Sequence, residues 1–289
     1  MRASPYAGCT CLEYTLKLSY FKQKIRHAYI FCLTLISECE FRILSLHAHP
    51  GWGNVRVAMY IQDQLAEIRE KIAAAEQKSG RPAGSVALLA VSKTFPVSDI
   101  MHAYNDGQRL FGENRLQEAM EKMPAMPANC EWHLIGPLQR NKVRKALEHG
   151  FALIEAVDSL KLAEAISRIA GELGVTARIL LEVNVDAEES KHGFTPAGLQ
   201  ESWETLTSLP HLEIRGLMCI PAPTEDPESA RPAFSCLRSL AESLRARGPL
   251  PLPELSMGMS HDYAVAVEEG ATIVRVGSAI FGKRDYGSR

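Results

Sequence analysis

The chain has 289 residues, 46% of them hydrophobic and 23% charged, and a formal net charge of −2. That length accommodates one large core, and a single α/β barrel takes about 250 residues. Basic and acidic residues are interspersed, so the chain lacks the electrostatic footprint of a nucleic-acid-binding protein.

Residues 1–58 differ from the rest. They hold Cys9, Cys11, Cys32 and Cys39 of the seven cysteines and show no long amphipathic period. The apolar run 28–36 is too short to span a bilayer. Its overlong charged lead, and Glu38 and Glu40 behind it, do not fit an export signal. The expectation is a poorly ordered extension over 1–58, with Met59 as a sensible start and one functional domain over 59–289. Cys130, Cys219 and Cys236 are scattered and no CxxC pair occurs. This points to reduced thiols in a cytoplasmic protein rather than a disulfide framework.

Leu65, Ile68, Ile72 and Ala75 recur at helical spacing, which predicts a helix over 61–78 that Gly80-Arg81-Pro82 ends. Strand and helix patterns then alternate. Strands are expected at 86–93, 109–114, 131–136, 153–158, 178–185, 213–220, 254–258 and 272–281. Helices are expected at 97–104, 115–123, 141–149, 160–173, 196–207, 228–247 and 262–269. This order predicts a closed parallel (β/α)8 barrel of the TIM type. An open doubly wound sheet is the alternative, but no glycine fingerprint follows the first strand.

A barrel carries its site at the C-terminal ends of its strands. Lys93 ends the apolar run Val86-Ala87-Leu88-Leu89-Ala90-Val91. An amine at the rim of a buried strand is partly dehydrated, which favours its neutral, nucleophilic form, and the natural partner of such an amine is an aldehyde. The competing reading is a lysine that simply reaches water. Ser260 follows a glycine turn at Gly258 and either faces an anion near free backbone N–H groups or caps the helix after it. Gly277-Ser278 offers close backbone approach and a hydroxyl, in the strand 7–8 region where barrels often bind phosphate.

Arg275 alternates with Val274 and Val276 and is expected in the barrel mouth; the competing reading is an ion pair with Glu268 or Glu269. Asn114 ends the second strand, where it is placed to touch a cofactor ring. His133 reads as a hydrogen-bonded strand histidine more readily than as a general base. Lys191-His192-Gly193-Phe194 reads as a loop closing over the mouth, and His192 has no second metal ligand at sensible spacing. The basic run Arg140-Asn141-Lys142-Val143-Arg144-Lys145 reads as the start of a solvated helix, with phosphate binding as the less favoured alternative.

The motifs Leu88-Leu89-Ala90-Val91-Ser92-Lys93, Phe111-Gly112-Glu113-Asn114, Trp132-His133-Leu134-Ile135-Gly136, Ser256-Met257-Gly258-Met259-Ser260 and Val274-Arg275 with Gly277 occur in an order that resembles the pyridoxal phosphate homeostasis proteins, the YggS or PROSC family. The resemblance covers about 60–284. It implies an alanine-racemase-like barrel without the racemase C-terminal β domain, pyridoxal 5'-phosphate (PLP) held as a Schiff base on Lys93, and phosphate contacts from Ser260, Gly277 and Ser278. It places Arg275 near the pyridine nitrogen. The family often carries threonine where Ser278 stands, which keeps the hydroxyl. The cofactor-binding set is then Lys93, Asn114, Met259, Ser260, Arg275, Gly277 and Ser278.

The function implied is intracellular PLP and amino-acid homeostasis without established catalysis, by a cytoplasmic monomer that passes the cofactor to PLP-dependent apoenzymes and binds neither nucleic acid nor membrane. A PLP-dependent amino-acid racemase is the alternative. It needs an acid/base group on each face of the substrate carbon, and Lys93 serves one face only. A third reading is a phosphate-binding barrel with no covalent cofactor.

Overall fold

The computed structural model describes residues 50–186, 192–248 and 250–282, with side chains from residue 57. The chain divides between His49 and Pro50. The expected extension up to residue 49, its four cysteines and Lys191 lie outside the described residues.

The first helix, α1 (Pro50–Lys78), starts well before the expected residue 61. Its buried stripe (Ile61, Leu65, Ile68, Ile72 and Ala75) begins only at Ile61, while Val57, Met59 and Tyr60 are exposed. The exposed apolar residues Val57, Met59 and Tyr60 follow no helical period, so the sequence pattern starts the helix late.

Eight strands follow: β1 (Ala87–Val91), β2 (Leu110–Glu113), β3 (Glu131–Leu134), β4 (Leu153–Val157), β5 (Ala177–Glu182), β6 (Leu212–Met218), β7 (Glu254–Ser256) and β8 (Ile273–Val276). They pair in sequence order, all parallel, and β8 pairs with β1 to close the barrel. The helices between them are α2 (Val97–Asn105), α3 (Leu116–Lys122), α4 (Val143–Glu148), α5 (Leu160–Leu173), α6 (Pro196–Ser208), α7 (Arg231–Ala246) and α8 (Tyr263–Glu268). Among the described residues no helix is long and apolar enough to cross a membrane.

Two apolar clusters follow from strand alternation. Ala90, Phe111, Trp132, Ile179, Leu217 and Val274 belong to the large cluster packed with the helices. Leu89, Val91, Leu153, Leu180, Met218 and Ile273 form the smaller one inside the barrel. Fully burying each such side chain contributes about 1.5–3 kcal/mol.

The last strand is shorter than the expected 272–281. It stops at Val276, and Ser278–Phe281 forms a helical turn, α9. The amide N–H groups of Ile280 and Phe281 donate back to the Gly277 carbonyl. A continuous apolar run does not by itself tell strand from helix, which is why the pattern overran.

Candidate functional site

The predicted residues converge on the C-terminal ends of four adjoining strands, β7, β8, β1 and β2. Lys93 lies two residues past β1 and is half-buried. The Ser92 N–H still donates to the Gly112 carbonyl, so the strand period continues and places Lys93 on the interior side with Leu89 and Val91. The turn carrying it is held on both sides. Ser92 Oγ donates to Glu113 Oε1 at 2.6 Å, Lys122 Nζ donates to the Ser92 carbonyl at 2.8 Å, and the Thr94 N–H donates to Glu118 Oε1. Lys122 also bonds Glu113 and Glu118. Thr94 has φ 71°, a left-handed conformation that a β-branched residue adopts only when its surroundings impose it.

Glycine brings the neighbouring loops close. A Cβ on Gly277 would lie 3.1 Å from the Val91 carbonyl oxygen, so the segment after β8 abuts the strand that carries the lysine. A Cβ on Gly136 would lie 2.3 Å from the Asn114 carbonyl oxygen, so the loop after β3 presses on Asn114. Ser260 does not cap α8, whose N-cap is Asp262 with no side-chain capping bond into the helix. Its Oγ instead accepts the N–H groups of Gly277 and Ala279 at 3.3 and 3.4 Å. Asp262 Oδ1 accepts the Met259 N–H and fixes that turn. Ser278 is exposed beside it.

Arg275 is 4% exposed and has the same parity as Ile273, inside the barrel. It donates to Ser256 Oγ at 2.7 Å and to the Cys219 carbonyl at 2.8 Å. The expected alternative partners are taken elsewhere: Glu268 pairs with Lys78 and Arg231, and Glu269 with Arg231 and Arg238. Ser256 donates onward to Glu155 Oε2, whose other oxygen lies 2.6 Å from His133 Nδ1. His133 is thus the hydrogen-bonded strand histidine expected. Sequence reasoning missed Glu155 and Glu182, which have no recognisable spacing, and it named Ser256 only within a motif, not as the link between Arg275 and Glu155. Burial pushes the Cys219 thiol up to about 12, so it is unreactive. Among the described residues no three His, Cys, Asp or Glu side chains group to hold a metal ion.

Glu182 ends β5 on the interior parity. Burial raises its carboxyl above the usual range and Asp158 adds repulsion, while His192 and Arg275 oppose the shift. A carboxyl raised in the folded state contributes its stability below the unfolded pKa of about 4.3 and loses it as pH rises through the folded value. Glu182→Gln is therefore expected to raise the denaturation midpoint at pH 8 and leave it nearly unchanged at pH 4. Equal effects at both pH values would contradict this.

A cavity of about 1090 Å³ lies to the β2–β4 side and shares only Asn114 with the predicted set. His192 lines it, with Nδ1 3.9 Å from Asp158 Oδ2.

The family described as alanine racemase, N-terminal domain, matches residues 64–285. An alanine racemase of Clostridium difficile shares the fold at TM-score 0.62 and 16% identity, over 79% of this chain and 57% of that one. PipY of Synechococcus elongatus, solved with PLP bound, superposes at TM-score 0.67 with 42% identity, over 77% of this chain and 100% of PipY. The pyridoxal phosphate homeostasis protein of Aquifex aeolicus is 44% identical over 225 residues, 78% of this chain and 98% of that protein. Identity at that level across a whole relative, on a barrel with these strand ends, means that the chain belongs to the family of pyridoxal phosphate homeostasis proteins.

Proposed function

We propose that this protein binds pyridoxal 5'-phosphate as a Schiff base on Lys93 and serves vitamin B6 and amino-acid homeostasis without catalytic turnover. In this reading it is a cytoplasmic monomer that hands the cofactor to PLP-dependent apoenzymes. The observation that carries the reading is the convergence of one amine, one buried guanidinium and two backbone donors on adjoining strand ends. The residues fit the group. The N–H groups of Gly277 and Ala279 converge on one oxygen, Ser260 Oγ, at long distances, and an anionic oxygen in that neighbourhood would gain both donors. When bound, the cofactor supplies an aldehyde for the amine and an electron-withdrawing ring.

Arg275 decides how far that ring can act. Its partners are a hydroxyl and a carbonyl, and among the described residues no carboxylate forms an ion pair with it. A permanent cation facing a pyridine nitrogen keeps that nitrogen unprotonated, which weakens the ring as an electron sink. That disfavours transamination and decarboxylation and leaves racemisation or simple carriage of the cofactor, of which carriage is the reading proposed. The test is to mix the loaded protein with a PLP-requiring apoenzyme and with alanine in deuterated water. Restored apoenzyme activity with no deuterium at the alpha carbon is expected. Rapid exchange at that carbon would establish the racemase reading instead.

A further inference from the structure

The cavity beside the mouth is walled by the segments after β2, β3 and β4. Its cations are Arg115, Arg140, Lys142 and Lys161, against the single carboxylate of Asp158. Arg115 and Arg140 stand apart from the other arginines. Among the residues with described side chains, every other arginine donates to a carboxylate, carbonyl or hydroxyl. Arg69, Arg144, Arg168, Arg178, Arg215 and Arg238 pair with carboxylates, and Arg231 binds three. Arg81, Arg109, Arg245, Arg247 and Arg275 bond carbonyls. Arg115 and Arg140 make no such contact to a described residue, and both face the same concavity. Lys142 and Lys161 are in the same position; of the described lysines only Lys145 also lacks a partner, and it does not line the cavity.

A guanidinium offers five donors in a fork that matches phosphate and carboxylate oxygens. Among the described side chains every other arginine fork is engaged by at least one acceptor. Leaving it unsatisfied around one hollow concentrates positive potential there, and concave walls focus the field further. The volume slightly exceeds the usual range for small-molecule sites, about 300–1,000 Å³. Four cations less one carboxylate leave an excess of three positive charges. Gln139 and Asn141 add neutral donors, and Leu116, Leu138 and Leu162 supply apolar wall.

We infer that this cavity is a second binding site, for a small organic polyanion carrying two or more phosphoryl groups, of the nucleotide class. It is separate from the Lys93 site but adjoins it through Asn114, which borders both. The hollow shape favours a small ligand over the flat acidic face of a protein. The inference stands whether or not Lys93 carries the vitamin, because none of its walls comes from β1, β7 or β8.

The experiment titrates inorganic pyrophosphate and ATP, without divalent metal, into two samples: the protein as purified, and the protein after PLP has been fixed by borohydride. Saturable binding to both samples is expected, with ATP tighter than pyrophosphate if the apolar wall takes the organic body. Arg115→Ala with Arg140→Ala is expected to weaken binding at least tenfold, and raising salt from 50 to 200 mM to weaken it further. The visible band of the vitamin should persist in that double variant, which shows that the barrel and the Lys93 site are intact. No saturable binding of either probe, or binding unchanged by the double variant, overturns the inference. Binding that disappears only after borohydride fixation also overturns it, because the probe then competes for the Lys93 site. A failure of the vitamin reading shows separately, as absence of the visible band.

Discussion

Lys93→Ala is expected to abolish the visible absorbance of the PLP-loaded protein while leaving the barrel folded. The side chain sits past the strand end and is only half-buried, so its removal empties no core volume. The turn around it is fixed by other groups, namely the Ser92 hydroxyl and carbonyl, the Thr94 N–H, and the Glu113, Glu118 and Lys122 side chains. Stability should change by no more than about 3 kcal/mol, the ordinary range of a single substitution. Absorbance spectra before and after borohydride, followed by peptide mapping, read the first half. A thermal melt by circular dichroism reads the second. A variant that keeps the band, or a fixed label on any other lysine, sinks the assignment.

Lys122→Met is expected to destabilise the protein by about 3–5 kcal/mol, the cost of removing one partner from a buried charge pair. Lys122 is 7% exposed and Glu113 fully buried. Burial already raises the Glu113 carboxyl against the pull of Lys122 and Ser92, and its Oε2 has no partner. Deleting the ammonium leaves two carboxylates facing each other across the space it occupied. Adding Glu113→Gln should recover more than half of the loss, since the buried charge goes with it. Urea denaturation of both variants measures this. If the single variant loses less than about 1 kcal/mol, the pair is not what holds the turn. The single variant should also disturb the loaded protein's absorbance, because the Ser92 carbonyl loses its anchor beside Lys93.

The alternation of elements was legible because strand and helix differ in period and parallel strands need helical crossovers. The helix over Leu160–Leu173 has the bounds the pattern gives. The polar strand ends, Lys93, Asn114 and Arg275, were legible because a barrel has one mouth and chemistry gathers there. The supporting bonds were not. Ser256 meets Glu155 across 101 residues of chain, and Lys122 reaches Ser92 across 30. Neither spacing repeats in any helix or strand period. The partners of Ser260 were hidden for a related reason. Its place ahead of α8 left a helix cap open as an alternative, but its hydroxyl meets the segment after β8, which the pairing of β7 with β8 brings near. The basic run near Arg140 was visible as charge. Its lack of partners was not, because pairing is a property of the folded surface.

Closure of β8 onto β1 has a consequence for biosynthesis. The Lys93 amine leaves the ribosome with β1, whereas the backbone donors at Gly277 and Ala279 follow β8. If these groups hold the vitamin as proposed, a nascent polypeptide exposes the lysine long before it can grip an anionic tail. Stable retention of the vitamin becomes a report that translation has delivered the final strand and that the ring of strands has shut.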